Sequence, residues 1–555
     1  MRRRTVALLG VLLAAAVTVG GSHLATAAGR SSAVQVAHTD HRPNIVLVLM
    51  DDFSLELLAT MPQAQRLRAD GATYRNAHVV DSLCCPSRAA IFTGRPPHQT
   101  GVFTNTANDP EHPIGGYRAF VRNDNTSKAF NVALQKGGYT TGFIGKYMNG
   151  YSMYTNHGEN FAPAKIPGWD VFNAVLSGGY HEWGFRTTYL DKDGMVRMRH
   201  TRKPPRSAPA KVLDRAYATN VMSRYADTFL REHRDQKKPY FLEVATYGPH
   251  AQMQKAYPDN PPFPSAFADR APQGHPAGGN CGTKPCGRLT LRDLKGYADP
   301  RDDNTPTHLR RNGITTPAPA WNVNPVTLSD KLALQQYRDR ARMVQSIDRM
   351  LGKLRAEAGP NTYFFLTSDN GFHLGQLQLN GGKGTPYDFD THVPLVVAGP
   401  GVQPGARSQL VSSIDLAPTF ETIAGLRPKS YRSGTSFASS LDDPRAPGGR
   451  FVFMEHTYAR LQPGEVDSDT SSGGDIQQVP SYIAVRGKRG LLARFDLDDS
   501  ARGTDHAYEL YRYDVPWEER NVFATDHDKP WARELMRRLR AWDGCEPEEC
   551  RALSR

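Results

Sequence analysis

The chain has 555 residues, 39% hydrophobic and 22% charged, which excludes disorder and coiled coil as overall descriptions and leaves ample length for a large buried core. The formal net charge is +12 and the isoelectric point is near 9.3, a balance that suits an anionic substrate or polymer. No zinc-finger, homeodomain or RNA-binding signature accompanies the charge, so nucleic acid is not expected as a partner.

Residues 1–28 read as a bacterial-type export signal, which places the mature protein outside the cytoplasm. Arg2, Arg3 and Arg4 make a positive start, TVALLGVLLAAAVTVGG an apolar run, and Ala25-Thr26-Ala27 a small-x-small cleavage pattern. An uncleaved anchor is the alternative, because the run approaches the ~17 residues of a minimal membrane span. No later segment has that length and apolarity, so no stable membrane partner is expected. Residues 29–42 are polar and read as a linker.

From there strands and helices alternate. RPNIVLVLMDD, residues 42–52, is a continuous apolar run ending in two acids, the pattern of a buried strand with carboxylates at its C-terminal tip. TTGFIGKY, residues 140–147, delivers a lysine in the same way. PYFLEVATYGPH, residues 239–250, delivers a histidine, and NTYFFLTSDNG, residues 361–371, delivers Asp369 and Asn370. VPLVVAGPG, residues 393–401, is a further core strand. Helical spacing of apolar residues predicts helices over 326–359, stopped by Gly359-Pro360, and over 412–426. Such alternation predicts an α/β fold with a mostly parallel central sheet covered on both faces. Ligands of such sheets gather beyond the strand C-termini, where the acids, lysine and histidine fall.

The main domain is expected over 43–448, with an irregular excursion rich in Pro, Gly and Asn at about 250–325, lying over the mouth of the site. Short strands and a closing helix predict a small α+β domain over 449–555.

Six cysteines punctuate the chain. Cys281 and Cys286 bracket one tetrapeptide, and Cys545 and Cys550 another; each pair suits a local bridge in an oxidising compartment, a metal pair, or two free thiols. Cys84 and Cys85 are adjacent, and a bridge between sequence neighbours is geometrically strained. That pair therefore asks for chemistry.

Asp51, Asp52, Asp369 and Asn370 form an oxygen-donor set at two strand tips, which suits a hard cation such as Ca²⁺ or Mg²⁺. Arg88, Lys146, His250 and Lys383 form a possible cationic clamp for a tetrahedral anion. Each member taken alone has a bland reading, as a helix cap, a solvated lysine or a core histidine.

The stretch Cys84-Cys85-Pro86-Ser87-Arg88, continuing to Thr93-Gly94, carries the signature C-x-P-S-R of the sulfatases. Asp51-Asp52, GKYMN at 145–149, Pro249-His250, SDNGFHLG at 368–375, Lys383 with Tyr387-Asp388 and Val393-Pro394, and ELYRYDVPWEERNV at 509–522 follow in the order of that family. The chain thus resembles the formylglycine-dependent, cysteine-type sulfatases over most of 43–525, and GKYMN and YDFDTHVP look most like the N-acetylglucosamine-6-sulfatase and bacterial arylsulfatase branch.

The resemblance implies an alkaline-phosphatase-like α/β/α sandwich and a sulfuric ester hydrolase that cleaves the S–O bond of sulfated sugars or aryl sulfates. It implies that a formylglycine-generating maturase oxidises Cys84 to an aldehyde whose hydrate is the nucleophile and a metal ligand. Asp51, Asp52, Asp369 and Asn370 would complete a site for Ca²⁺ in preference to Mg²⁺. Arg88 would hold the hydrate; Lys146, Lys383 and His250 would bind sulfate, with His250 or Lys383 as proton donor. One departure stands out: where many sulfatases carry a histidine two residues after the Gly-Lys lysine, this chain has Met148, followed by Asn149. His373 is the alternative base, though a supporting role suits it better, and His98 reads as structural. Two rival functions remain on the same fold: a phosphonate or phosphate ester hydrolase, and a catalytically silent glycan-binding protein.

Overall fold

NIVLVLM forms strand β1 (Asn44–Met50) in the middle of a central sheet, and its residues alternate between two cores. Val46, Val48 and Met50 face one cluster, built with the helices Pro62–Asp70, Ala218–His233 and Asp330–Glu357. Ile45, Leu47 and Leu49 face the other, built with the helices Cys84–Thr93, Phe130–Lys136 and Leu416–Ile423. Burial on both faces explains why the strand is apolar without alternation.

In this computed structural model the described residues are 42–106, 112–151, 166–176, 178–321, 328–457, 479–498, 504–515 and 517–555. The export signal and all of the linker but Arg42 lie outside them. No helix among the described residues is long and apolar enough to cross a membrane.

The other strands follow in chain order as β2 (Ala72–His78), β3 (Thr140–Lys146), β4 (Val171–Val175), β5 (Phe185–Leu190), β6 (Val196–Thr201), β7 (Tyr240–Ala245), β8 (Thr307–Leu309) and β9 (Thr315–Pro317). After the long helix come β10 (Thr362–Ser368), β11 (His373–Leu374), β12 (Gly381–Gly382), β13 (Leu395–Ala398) and β14 (Gly405–Ser412). The last four are β15 (Phe451–His456), β16 (Ser481–Gly487), β17 (Gly490–Asp496) and β18 (His506–Arg512). The central sheet has ten strands in the order β14-β2-β13-β10-β1-β7-β3-β4-β5-β6. Its heart, β10-β1-β7-β3-β4, is parallel throughout. The predicted core strand at 393–401 is β13, antiparallel to both its neighbours.

A second, antiparallel sheet has the order β15-β16-β17-β18-β8-β9. The helix Pro530–Trp542 covers it with Leu535, Leu539 and Trp542, against Phe453, Val485, Leu492 and Leu510. Of the stretch expected to be irregular at 250–325, the described residues, 250–321, hold only single turns and β8 and β9, but those two strands extend the second sheet. Both proposed cysteine loops are closed, Cys281 to Cys286 and Cys545 to Cys550, while Cys84 and Cys85 are buried and form no disulfide.

Two helix boundaries differ from expectation. The long helix runs Asp330–Glu357, and Gly359 follows it with φ +79°, a left-handed conformation that ends a helix without strain. The helix expected at 412–426 begins as a 3₁₀ turn, Ser413–Asp415, and is α-helical only over Leu416–Ile423. Ser412 and Asp415 bond each other's backbone in a capping box, which favours the tight turn over a regular start.

Candidate active site

The parallel pairing of β1 with β10 sets Met50 beside Ser368, so the residues that follow each strand, Asp51-Asp52 and Asp369-Asn370, emerge side by side. The Asp52 backbone N–H donates to Asp369 Oδ1 at 3.3 Å, and the Phe53 N–H to Ser368 Oγ at 3.1 Å. Asp52 has φ +56°, which lets the chain turn sharply and present both acids to one point. Ligand atoms of Asp51, Asp52 and Asp369 lie within 4.8 Å of one another, and all three residues are buried.

Cys84 is the first residue of the helix Cys84–Thr93, so the positive end of its dipole faces the acids. Pro86 stands in the first turn, where a missing N–H costs nothing. Asn105 accepts the Cys85 N–H at 2.7 Å and fixes the entry of the chain. Ser87 Oγ donates to the Asp369 carbonyl at 2.5 Å, and Arg88 Nε donates to Asp369 Oδ2 at 2.7 Å. Gly94 ends the helix at φ +63°, with Arg432 Cδ 3.0 Å from where a Cβ would stand. The signature therefore works as a local unit: a helix start that brings the Cys84 thiol to the acids and locks itself onto the second metal motif.

Cys84 Sγ lies 3.4 Å from Asp51 Oδ1, 3.9 Å from Asp52 Oδ1 and 2.9 Å from Lys383 Nζ. Lys146, at the tip of β3, donates to Asp51 Oδ2 at 2.7 Å, and Lys383, just after β12, donates to Asp52 Oδ1 at 2.7 Å. The His250 ring is oriented by Nδ1, 2.6 Å from the Ala251 carbonyl oxygen, which turns Nε2 toward Asp52 Oδ2 at 3.5 Å. Ligand atoms of Asp51, Cys84 and His250 also lie within 4.8 Å of one another. All nine residues singled out in the sequence, Asp51, Asp52, Cys84, Arg88, Lys146, His250, Asp369, Asn370 and Lys383, thus converge in one buried cluster.

The charges shape each other. Burial works against charge on Asp51, but Lys146 and then His250 outweigh it and hold the carboxyl below its usual value. Asp52 is likewise held low against burial, chiefly by Lys383. Asp369 goes the other way: burial pushes it up to about 7, with Asp51 adding to the rise and Arg88 opposing it. Burial, with Asp51 adding, raises the Cys84 thiol well above its ordinary range, although Lys146 and Lys383 pull against this. The unmodified thiol is therefore neutral and a poor nucleophile.

The cluster fits a hard cation. Asp52 Oδ2 and Asn370 Oδ1 are buried with no hydrogen-bond partner among the described residues, beside a carboxylate that burial has made reluctant to ionise. Three carboxylates and one amide oxygen are the donors Ca²⁺ or Mg²⁺ takes. Formal charges of three acids and three bases cancel here, so a divalent ion would leave the site positive toward an anionic ester.

Met148 is buried in the apolar cluster with Tyr147 and Tyr151, so that position presents no base. His373 sits on β11 with Nδ1 2.9 Å from Asp390 Oδ1; its strand partner is Gly382, next to Lys383. His98 bonds Glu455 and the Cys545 carbonyl oxygen, tying the first sheet's side to the closing disulfide. Two residues were missed. Arg340, from the long helix, donates to the Asp52 carbonyl oxygen and, at 2.9 Å, to Ser54 Oγ, holding the turn after the first metal pair from behind. Tyr180 lies beside the site, with Lys146 Nζ 5.0 Å from its ring centroid and the His250 ring 4.6 Å away. In the sequence Arg340 is one of several charged residues along its helix, so nothing set it apart, and nothing distinguished Tyr180.

A family model described as Sulfatase matches residues 43–426. The N-acetylglucosamine-6-sulfatase of Homo sapiens is 31% identical over 403 residues, covering 70% of this chain and 62% of its own length. That of Capra hircus is 30% identical over 419 residues, covering 73% and 64%. The chain thus spans less than two thirds of these relatives. An N-acetylglucosamine-6-O-sulfatase of Bacteroides thetaiotaomicron is 24% identical over 543 residues, covering 90% and 86%. Among solved structures, one in complex with its substrate D-glucosamine-2-N,6-O-disulfate matches at TM-score 0.59 and 20% identity, covering 91% of this chain and 98% of that one. A phosphonate monoester hydrolase from Silicibacter pomeroyi matches at TM-score 0.60 and 18% identity, covering 90% and 94%. The alkaline-phosphatase-like architecture is shared by both, and the family match spans well over half of the chain. The chain belongs to the sulfatase family.

Proposed function

We propose that the protein is an exported sulfuric ester hydrolase acting on sulfated sugars or aryl sulfates. The observation that carries it is the placing of Cys84 Sγ at a helix start, 3.4 Å from Asp51 and 2.9 Å from Lys383, inside the acidic cluster. A neutral buried thiol has no evident task there; the precursor of formylglycine does. As formylglycine hydrate, residue 84 would supply an oxygen nucleophile and a second hydroxyl whose loss of a proton expels sulfate. Asp51, Asp52, Asp369, Asn370 and residue 84 would hold the cation, Ca²⁺ in this reading, which would neutralise charge on the sulfate oxygens.

The chain's own groups do the rest. With a cation held by Asp51 and Asp52, Lys146 and Lys383, now 2.7 Å from those carboxylates, would be left to share the charge of the sulfate oxygens. Arg88 opposes the rise that burial imposes on Asp369 and, through its bond to the Lys146 carbonyl oxygen, fixes the end of β3. His250 presents Nε2 to the same point as Cys84 Sγ, so it serves as proton donor to the leaving oxygen and takes over proton removal where Met148 offers no base.

Both closed disulfides support an oxidising destination, as expected of an exported chain. A maturase that reads Cys84 to Arg88 would have to act before folding, since those residues are buried. The phosphonate hydrolase reading rests on a fold match of the same quality, and fold does not separate the two. Parallel assays do: sulfate release from 4-nitrophenyl sulfate and from glucosamine 6-sulfate, against hydrolysis of an aryl phosphonate monoester, with Cys84→Ala as the control. Preference for the phosphonate overturns the proposal, and no turnover of any ester by the fully matured protein supports the silent, glycan-binding reading.

A further inference from the structure

A cleft of about 780 Å³ lies where the second sheet meets the middle of β14, at Ser408 and Gln409. Arg445, Arg450, Lys488 and Arg489 line it, and all four are exposed. Lys488 and Arg489 are the tip of the β16–β17 hairpin; Arg450 opens β15. No carboxylate among the described residues pairs with Arg450, Lys488 or Arg489, and Arg445 is 95% exposed with its nearest acid 3.9 Å away. Glu534, the one acid in the lining, is already bonded to Arg537 at 2.9 Å and Arg538 at 2.7 Å. Repulsion among three unpaired cations, with Arg445 only loosely paired to Asp443 beside them, is a cost that a folded protein ordinarily relieves with counter-charges.

One wall is the half-buried Trp531, set against glycine: a Cβ on Gly490 would stand 2.9 Å from the indole. Glycines 448, 449, 487 and 490 leave the lining low around it. An aromatic face beside cations suits a ring that carries anionic groups, with the apolar face of a sugar on the indole and its sulfates or carboxylates on the arginines. The cleft is also not isolated. A second cavity of about 730 Å³ shares Ser408 and Lys488 with it and is walled at another side by Leu55 and Gln376, on the segments that follow Asp52 and His373.

We propose that this cleft is a second, non-catalytic binding site for a linear polyanionic glycan. The inference rests on the sulfatase reading for its choice of ligand, because Trp531 and the cations alone would also accept a nucleic acid. Its test is independent of turnover. Fluorescent dextran sulfate is titrated into Cys84→Ala protein at several salt concentrations, beside uncharged dextran and a double-stranded DNA oligomer. Reversing Arg450, Lys488 and Arg489 to Glu should weaken dextran sulfate about tenfold and flatten the salt dependence, since each exposed ionic contact contributes modestly and is screened. Reversing the exposed Lys192, Lys237 and Lys238, which lie outside the cleft, makes the same change in net charge and should weaken it no more than about twofold. Arg445→Glu, at a side chain too exposed to matter for folding, should give a partial loss, and Trp531→Ala should weaken the glycan at unchanged salt slope. Equal losses in the two triple variants, or DNA bound as tightly as dextran sulfate, overturn the proposal. If the cleft behaves as stated while the matured enzyme releases no sulfate from small esters, the catalytic reading falls and the cleft stands.

Discussion

At the scale of the residue, the site separates groups that hold charge from groups that hold geometry. Cys84→Ala should abolish ester hydrolysis while leaving the fold intact, because a buried thiol with few polar bonds is replaced by a slightly smaller apolar group; residual sulfate release from 4-nitrophenyl sulfate would refute the assignment. His250→Ala should lower kcat by about 10²–10⁴-fold if its ring moves a proton in the rate-limiting step. A leaving group of low pKa should rescue most of that loss, and equal losses for good and poor leaving groups would exclude His250 as the donor. Arg340→Met tests a residue that sequence alone did not reveal. It removes two bonds behind Asp52 and should weaken Ca²⁺ binding, read by calorimetry, more than it changes KM for the ester. The nine clustered residues were legible because the family signature fixes residue type and order. Arg340 and Tyr180 were not, because what singles them out is the approach of remote elements, a long helix and a single turn, to the strand tips.

At the scale of the element, the decisive feature is the register of β1 with β10. Once Met50 pairs with Ser368, the two acidic tips must meet, whatever the loops do. Leu47→Ala, at the centre of β1 and fully buried, should cost about 2–5 kcal/mol in unfolding free energy. Strands were readable as apolar runs, since both sheet faces are covered. Helix ends were less so: the capping box at Ser412 and Asp415 turns the expected start of a helix into a 3₁₀ turn. The recruitment of β8 and β9 from the Pro- and Gly-rich excursion was not legible at all, because a three-residue strand carries almost no periodic signal and is defined by its partner. The disulfide Cys545–Cys550 closes a short loop under helix Pro530–Trp542. Replacing both cysteines by serine should lower stability by about 2 kcal/mol, as the loop-entropy account gives for so short a ring, and more if His98 loses its bond to the Cys545 carbonyl oxygen.

At the scale of the whole molecule, several buried carboxyls are held protonated. Burial raises Glu243 to about 8, Glu509 to about 7 and Glu518 to about 8, alongside Asp369 at about 7. Each binds a proton in the folded state that it loses when unfolded above its ordinary pKa, so the folded state is favoured at lower pH. In the presence of chelator, stability should therefore fall as pH rises from about 5 to about 8, and flatten above the folded-state values; a melting temperature that climbs across that range would contradict it. Added Ca²⁺ should restore stability most at the upper end, where Asp369 must otherwise ionise beside Asp51. This pattern could not be read from composition, because a glutamate at a strand position such as 243 looks solvated until the sheet covers it.

The account stands or falls on the chemical state of residue 84. Mass spectrometry of the peptide carrying it, from protein matured with a formylglycine-generating enzyme and actively releasing sulfate, should show an aldehyde that forms a hydrazone, in proportion to activity. Full sulfate release by protein whose residue 84 is entirely a thiol would contradict the account.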